Sequence, residues 1–167
     1  MSSVLENLSE KILRELTATR ILARYSDHLD GDRLGEWIDM FTDDANYVLV
    51  TRENYLAGLP LPIMRCEGRP AMQDRIKAAS ELMMFAPRVM RHFVTNVQVQ
   101  PDAEELKFSA NVLVARSMLD VRSELFLVGT YYGRLVPRAG SETGYLIGDL
   151  TCVIDTSLID NSIVVPL

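Results

Sequence analysis

The sequence predicts an α+β fold in which N-terminal helices pack on one face of a curved antiparallel sheet. Apolar residues recur every three or four positions in the first half of the chain, whereas four later segments are rich in β-branched and aromatic residues. Helices followed by a run of strands joined by short turns are typical of this fold class. We interpret residues 1–167 as a single domain, with a helical extension over 1–16 and the folded body over 17–167.

Two helices are predicted before the first strand. The apolar residues of the first helix lie on one helical face: Leu5, Leu8, Ile12 and Leu16. This helix is expected to continue to Gly31, which can stop it in a left-handed conformation, and Thr17 marks a candidate break. The second helix is predicted to be capped by Asp32 and to end near Thr42. Its core-facing residues follow helical spacing: Leu34, Trp37, Ile38 and Phe41.

A strand, a long loop and a third helix are predicted next. Residues 45–51 favour a strand, whereas residues 52–68 contain two prolines and two glycines and are predicted to form an ordered loop. Pro70 suits the first turn of the third helix. The buried side of that helix is predicted to contain Met72, Ile76, Ala79 and Met83. Four further strands are predicted over 91–100, 106–118, 121–136 and 145–155.

Charge and composition exclude several functional classes. The net charge of −6, without any Lys/Arg run longer than a pair, argues against nucleic-acid binding. The N-terminus does not resemble a signal or transit peptide, and no stretch has the roughly 20 apolar residues of a membrane span. We therefore expect a cytoplasmic protein with no nucleic-acid or membrane partner. Cys66 and Cys152 are expected to be buried free thiols.

Several short motifs resemble known proteins. FTDDANY at 41–47 is similar to the junction between the second helix and the first strand of the nuclear-transport-factor-2-like cone fold. TRENYLAGLPL at 51–61, MQDRI at 72–76, an Arg-His pair at 91–92 and the closing PL resemble the small (beta) subunits of Rieske-type aromatic-ring-hydroxylating dioxygenases. Gln73 departs from the apolar residue that is usual in the second motif.

This resemblance implies a cone-fold domain over 17–167 that serves as a non-catalytic, structural beta subunit. The extension over 1–16 has no clear counterpart in that family. There, a large alpha subunit carries the Rieske [2Fe–2S] cluster and the mononuclear iron, often in a hexamer of three alpha and three beta subunits. The chain itself is therefore expected to hold no cofactor or metal, and to support a partner that dihydroxylates an aromatic ring. The form TRENYLAGLPL is similar to subunits that serve carboxylated or amino-substituted rings.

The spacing of metal-ligating residues is consistent with that division between subunits. A Rieske centre needs two Cys and two His in paired short spacings, and the four such residues here are far apart: His28, Cys66, His92 and Cys152. A mononuclear iron site would need both histidines and a carboxylate on a shared face, and no motif supports one. The sequence also lacks a glycine-rich phosphate loop and a nucleophile elbow.

Two alternatives use the same fold differently. A free-standing isomerase, cyclase or dehydratase would use His92 as a general base, with Tyr25, Asp44 or Tyr47 as further proton-transfer groups. Regular alternation would place His92 and Asn96 on one strand face, lining the interior of the cone. The competing interpretation is structural, with a hydrogen-bonded core histidine, packing tyrosines and a turn-forming aspartate. A ligand-binding homodimer without catalysis is the second alternative.

Candidate partner contacts are Arg52, Tyr55 and Arg75, because arginines and aromatic residues are enriched at interfaces. On composition alone, a solvated helix face explains Arg75 better than an interface does, and the family resemblance is what raises the interface interpretation to an equal footing. The apolar run over 125–128 predicts a strand covered on both faces. Another subunit would then provide the outer cover.

Overall fold

The chain folds into helices packed on a curved six-stranded sheet, as predicted. The computed structural model describes residues 2–82, 88–102, 105–158, 163 and 165–167. Within these ranges lie the helices α1 (Ser2–Asp30), α2 (Leu34–Asp39), α3 (Arg52–Leu56) and α4 (Gly68–Leu82). The strands are β1 (Phe41–Thr51), β2 (Met64–Glu67), β3 (Arg88–Asp102), β4 (Glu105–Met118), β5 (Val121–Pro137) and β6 (Tyr145–Ile154). None of the described helices is both long enough and apolar enough to cross a membrane.

Helix α1 runs without interruption, so the predicted break at Thr17 is wrong. The hydroxyls of Thr17 and Thr19 donate to main-chain oxygens one turn earlier, at 2.8 and 2.7 Å. Each threonine therefore satisfies its hydroxyl inside the helix. Residues 4–13 are exposed, and Ala18 is the first buried residue of α1 among those described.

The turn after α1 uses Asp32 differently from the prediction. Asp32 has a left-handed φ of 54°, and the Arg33 N–H donates to the His28 carbonyl oxygen at 2.8 Å. This geometry closes α1, so Asp32 belongs to the C-terminal cap of α1 and does not cap α2. Helix α2 ends at Asp39, earlier than predicted, and Phe41 is a buried residue of β1.

The prediction of a loop over 52–68 is wrong, because this segment contains α3 and β2. The Thr51 side-chain oxygen accepts a hydrogen bond from the Asn54 N–H at 3.3 Å and caps α3. The Asn54 side-chain amide donates to the Leu61 carbonyl oxygen at 3.0 Å, which ties the following turn to the helix. Strand β2 then pairs antiparallel with β1. The helix predicted around Pro70 is confirmed as α4.

The sheet has the strand order β2-β1-β6-β5-β4-β3. The four later strands are confirmed, each within a few residues of the predicted ends. Strand β1 pairs parallel with β6, with Tyr47 opposite Leu150, so the antiparallel prediction is wrong at this pair. The other pairings of the described strands are antiparallel. Strands β3, β4, β5 and β6 lie side by side in chain order. The crossover through α4 leads to β3 at the far edge of the sheet, so that β6 ends beside β1 and runs parallel to it.

One face of the sheet packs against the helices, and we call it the inner face. At its centre, edge-to-face aromatic rings have centroids 4.8–6.3 Å apart: Tyr25, Trp37, Phe41, Tyr47 and Tyr131. On α4, Met72 is buried as predicted and Ile76 and Ala79 are half-buried, while the predicted Met83 lies outside the described residues. Cys66 and Cys152 are buried free thiols, also as predicted.

A β-bulge in β3 changes which residues reach the inner face. The pairing with β4 shifts between Thr95 and Gln98, and Asn96 has a left-handed φ of 53°. An extra residue in one strand reverses the alternation beyond it. Asn96 is therefore exposed, and Val97 packs against the core in its place. The prediction that Asn96 shares a face with His92 is wrong for this reason.

Candidate functional site

His92 lies on the inner face of β3 and is held by the last residue of α1. The side chain of His92 is only 2% exposed, and its Nδ1 lies 2.7 Å from Oδ1 of Asp30. The His92 main-chain N–H also donates to both carboxylate oxygens of Asp30, at 3.1 Å each. One carboxylate therefore fixes both the strand and the imidazole.

This contact determines the chemistry of the second ring nitrogen. A carboxylate only accepts hydrogen bonds when ionised, so Nδ1 of His92 carries the proton that points at Asp30. In the neutral ring, Nε2 is then an acceptor. Nε2 is buried and has no hydrogen-bond partner among the described residues. A buried imidazole acceptor oriented by a carboxylate is an arrangement able to bind a donor or take up a proton.

A cavity of about 360 Å³ lies beside His92. Its walls come from the end of α1, the start of β3, α4 and the C-terminal segment, and include Leu29, Met90, Ala79 and Leu167. Most of these side chains are apolar. The cavity is therefore suited to an apolar body with few polar groups, as is usual for small-molecule sites.

Arginines lie close to the same cavity. Arg88 lines it, and burial together with the neighbouring Arg116 lowers the pKa of the Arg88 guanidinium. Arg116 is itself buried, pairs with Glu124 and stacks over the Phe126 ring at 4.8 Å from the centroid. The positive charge of Arg116 is thus largely neutralised inside the protein.

The two predicted tyrosines are engaged by the chain itself. The Tyr25 hydroxyl donates to the main-chain oxygen of Leu167 at 2.6 Å. The Tyr47 hydroxyl lies 3.1 Å from the same oxygen and accepts from the Leu167 N–H at 2.8 Å. Burial raises the pKa of both phenols well above the usual value. Both hydroxyls therefore anchor Leu167 inside the cone and stay protonated.

Asp44 lies apart from His92 and the tyrosines. It is exposed on β1, beside the irregular pairing between Phe41 and Asn46. The neighbouring Thr42 side chain and the main chain of Asp44 itself hold the pKa of the Asp44 carboxyl below its usual value. The structure therefore brings His92 together with Asp30, and does not bring Asp44 into the cone.

The candidate interface residues lie in two different environments. Arg52 is exposed and pairs with Asp155 at 3.3 Å. Tyr55, on α3, is 44% exposed and stacks on Tyr132 of β5 with centroids 5.7 Å apart. Arg75 donates to the main-chain oxygen of Ile163 at 3.1 Å. Arg52 and Tyr55 thus share the outer side of the sheet, whereas Arg75 holds the C-terminal segment.

Large apolar side chains are exposed on the outer face of the sheet. Phe93, Leu113 and Val128 are direct neighbours across β3, β4 and β5, and are 55%, 37% and 38% exposed. Leu125 is next to them and is 61% exposed. We call these four residues the outer-face patch. Apart from the run over 125–128, this patch was not predicted, although alternating apolar residues on both faces of β3 and β4 signal it.

Metal-ligating side chains do not gather in the part of the chain that the structure describes. No group of three or more His, Cys, Asp or Glu residues there has the geometry to hold a metal ion. His28 is buried next to Glu36, with Nδ1 and Oε2 3.5 Å apart. Burial raises the pKa of the Cys152 thiol, and of Cys66 against the opposing effect of Arg75.

Comparisons with known proteins identify relatives of the chain. Residues 10–141 match the family model of the SnoaL-like domain. The anthranilate 1,2-dioxygenase small subunit of Burkholderia cepacia is 29% identical over 133 residues, which cover 79% of this chain and 83% of that protein. Subunit beta 2 of the terephthalate 1,2-dioxygenase terminal oxygenase component of Comamonas sp is 24% identical over 157 residues, covering 93% and 100%.

A solved structure is similar over nearly the whole chain. It is a protein of Novosphingobium aromaticivorans assigned as the beta subunit of an aromatic-ring-hydroxylating dioxygenase. The two chains are 25% identical with a TM-score of 0.81, over 92% of this chain and 96% of the other. The predicted nuclear-transport-factor-2-like fold and the resemblance to small subunits of ring-hydroxylating dioxygenases are confirmed.

Proposed function

Because this chain belongs to the SnoaL-like domain family and its relatives are dioxygenase small subunits, we propose that it is a non-catalytic beta subunit of an aromatic-ring-hydroxylating dioxygenase. Its partner is a large alpha subunit that holds the Rieske cluster and the mononuclear iron. The assembly is a cytoplasmic hexamer of three alpha and three beta subunits. In this proposal the chain stabilises the assembly through its contacts with the alpha subunit, and the alpha subunit carries out the oxidation.

The observation that carries this proposal is the outer-face patch. An exposed row of Phe93, Leu113 and Val128 is larger than the isolated apolar residues normal on a monomer surface. Tyr55 stacks on Tyr132 on the same outer side, and Arg52 lies at the start of the same helix. Aromatic and arginine residues around an apolar centre are typical of protein interfaces. We place the alpha subunit on this patch.

The substrate proposed for the complex is an aromatic ring bearing a carboxyl or amino group. The relatives named above are subunits of dioxygenases for anthranilate and terephthalate. Anthranilate carries both groups, and terephthalate carries two carboxylates. The proposal rests on those relatives and on the TRENYLAGLPL motif. The ring itself would bind in the alpha subunit.

The docking surface can be tested with an iron-containing alpha subunit of a ring-hydroxylating dioxygenase from the same genome. We would co-express it, tagged, with wild-type chain, Leu113→Arg or Leu158→Arg, and measure how much small subunit is retained. Leu158→Arg is the matched control because Leu158 is 85% exposed and lies outside the patch. Retention should fall at least tenfold for Leu113→Arg only, since a charge at the centre of an interface is left desolvated. Equal retention of both variants would reject the patch as the docking surface.

A second candidate function is favoured by the His92–Asp30 contact. In this alternative the chain is a free-standing isomerase, cyclase or dehydratase, and Nε2 of His92 takes a proton from a substrate bound in the adjoining cavity. Asp30 would stabilise the imidazolium that forms. Tyr25 and Tyr47 contribute through Leu167, which they hold in place, and Asp44 contributes nothing from its surface position.

The alternative can be tested on the chain alone, which has only two histidines. Protein labelled with ¹⁵N in its histidine rings would give two pairs of ring-nitrogen signals. The variant His28→Gln would show which pair belongs to His92. Phenol, an apolar ring with one donor, is the probe. The second candidate predicts a shift of the Nε2 signal of His92 on addition of phenol and no shift for His28. An unchanged Nε2 signal at millimolar phenol would count against an open, ligand-accessible site.

A further inference from the structure

The C-terminal segment, of which residues 163 and 165–167 are described, lies inside the cone without belonging to a helix or strand. Its residues Ile163 and Leu167 are buried. Among the described residues, no backbone–backbone hydrogen bond joins this segment to the sheet or to a helix. Pro166 has no N–H with which to form one. The segment is therefore a buried piece of chain that strand pairing does not hold in the part of the protein described.

Side chains of the surrounding elements hold the segment by its main-chain atoms. Tyr25 donates to the Leu167 oxygen at 2.6 Å, and the Tyr47 hydroxyl accepts from the Leu167 N–H at 2.8 Å. Arg75 donates to the Ile163 oxygen at 3.1 Å. Buried main-chain groups need hydrogen-bond partners, and here side chains supply them in place of a neighbouring strand. A small amide bound in the cone would be held in the same way.

The surroundings of Leu167 are aromatic, with few polar groups. Tyr25 and Tyr47 both pack edge to face on Trp37, with ring centroids 5.8 Å apart in each pair. Tyr131 packs on the Tyr25 ring at 5.7 Å, and its buried hydroxyl has no hydrogen-bond partner among the described residues. Aromatic walls with a small number of placed polar groups are typical of small-molecule sites. The Tyr131 hydroxyl is left to bind a further polar atom.

The segment borders free space inside the protein. The cavity of about 360 Å³ beside His92 is also lined by Ile163, Val165, Pro166 and Leu167. Leu167 therefore separates this cavity from the hydroxyls of the two tyrosines that bind it. Displacing the segment would join the cavity to the space that Leu167 fills.

We propose that Tyr25 and Tyr47 form a binding site for a small aromatic carboxamide, and that the C-terminal segment competes for this site. Leu167 shows the pattern that the site recognises: an oxygen that accepts from Tyr25, an N–H that donates to Tyr47 and a buried apolar side chain. An aromatic carboxamide has the same three features, and its ring suits edge-to-face packing on the surrounding aromatic residues. The inference holds whether or not the chain assembles with an alpha subunit.

Cleavage after folding tests the site without requiring a shortened chain to fold. Residues 155–158 are exposed, so a protease recognition sequence can be inserted between Ser157 and Leu158. The folded full-length chain would be cut there, and benzamide would be added as the probe. Trp37 is the single tryptophan of the chain and lies beside both tyrosines, so its fluorescence reports binding at the site.

Benzamide should release the cut peptide and bind at least tenfold more tightly to the cut chain than to the uncut chain. The uncut segment competes at a high effective concentration because it is tethered to the site. In the cut chain, Tyr47→Phe should weaken benzamide binding roughly fivefold, since one hydrogen bond is lost. Tyr132→Phe is the matched control and should change nothing, because Tyr132 is 41% exposed on the outer side of the sheet.

Three results would overturn the proposal. The first is a cut peptide that benzamide at tens of millimolar does not release. The second is loss of the circular dichroism signal once the peptide has left, which would make the segment a part of the core. The third is equal benzamide binding by Tyr47→Phe and Tyr132→Phe. All three are measured on the chain alone, so the retention assay on the tagged alpha subunit decides the proposed function separately.

Discussion

The Tyr25 hydroxyl lies 2.6 Å from the main-chain oxygen of Leu167, so a helix near the start of the chain directly holds its C-terminal segment. Tyr47 binds the same residue through both its N–H and its oxygen. The hydroxyls that could serve proton transfer in a cone-fold enzyme are therefore engaged in holding the fold. The inner face of the sheet is thus occupied by the chain's own contacts, whereas the proposed function rests on the apolar outer face.

Removing the Tyr25 hydroxyl should destabilise the protein, whereas removing that of Tyr131 should not. Tyr25→Phe loses a buried hydrogen bond and leaves the Leu167 oxygen with one donor fewer, which should cost about 1 kcal/mol. The buried Tyr131 hydroxyl has no hydrogen-bond partner among the described residues, so Tyr131→Phe should be neutral or stabilising. Urea unfolding of both variants checks this. Equal losses would show that the Leu167 contact contributes nothing specific.

Stability should fall as pH rises above about 10. Burial raises the pKa of Tyr25, Tyr47 and Tyr131 well above the ordinary 10.0. In the unfolded chain these phenols ionise near 10, while in the folded protein they remain protonated. The folded state then binds more protons, so the stability present below pH 10 is lost with a slope of roughly 1.4 kcal/mol per pH unit for each phenol.

Unfolding free energies measured between pH 8 and 11 would test this slope. Tyr131→Phe removes one of the three phenols and should make the decline above pH 10 shallower by about 1.4 kcal/mol per pH unit. Absorbance at 295 nm should show the remaining buried phenols ionising only as the protein unfolds. A decline that is the same in wild type and variant would mean that Tyr131 is not kept protonated by burial.

Asp30→Asn should destabilise the protein strongly for a change of one atom. Asp30 is 11% exposed and accepts from the main chain and the ring of His92, so losing its charge should cost about 1.5–3 kcal/mol. Asp27→Asn is the matched control, because Asp27 lies on the same helix but is 73% exposed in its pair with Arg33. Thermal unfolding should separate the two variants. Similar melting temperatures would rule out a structural role for the His92–Asp30 contact.

Gly129→Ala should destabilise the sheet, whereas Gly35→Ala should not. A Cβ at Gly129 would lie 2.3 Å from the Val153 carbonyl oxygen of the neighbouring strand, and backbone cannot move aside easily. Overpacking of this kind should cost roughly 1–3 kcal/mol or more. A Cβ at Gly35 meets nothing within 4 Å, and alanine favours the helix. Denaturant unfolding compares them, and a well-tolerated Gly129→Ala would mean that β5 and β6 are less closely paired.

The features predicted correctly from sequence depend on short repeats along the chain. Helix α1 and strands β3 to β6 have a clear period of 3.6 or 2, which does not depend on distant residues. The segment over 52–68 was misinterpreted because Pro60 and Pro62 suggest a loop. The turn after α3 is held by the hydrogen bond from the Asn54 side chain to Leu61, and β2 is held by its pairing with β1. A single left-handed residue, Asn96, was enough to reverse the alternation of β3.

The contacts of the candidate site could not be predicted, because they join distant parts of the chain. Asp30 and His92 are 62 residues apart, and Tyr25 and Leu167 are 142 residues apart. In the sequence Asp30 has the appearance of a helix-ending residue and Leu167 that of an ordinary apolar one. Their roles follow only from the way α1 crosses the inner face of the sheet.

The most direct test is to express the chain with and without an iron-containing alpha subunit from the same genome, and to compare mass, iron content and ring hydroxylation. We expect iron and dihydroxylation of anthranilate or terephthalate only in the co-expressed sample, in a species that native mass spectrometry identifies as three alpha and three beta subunits. A homogeneous, active oxygenase or isomerase obtained from this chain alone would contradict the proposed function.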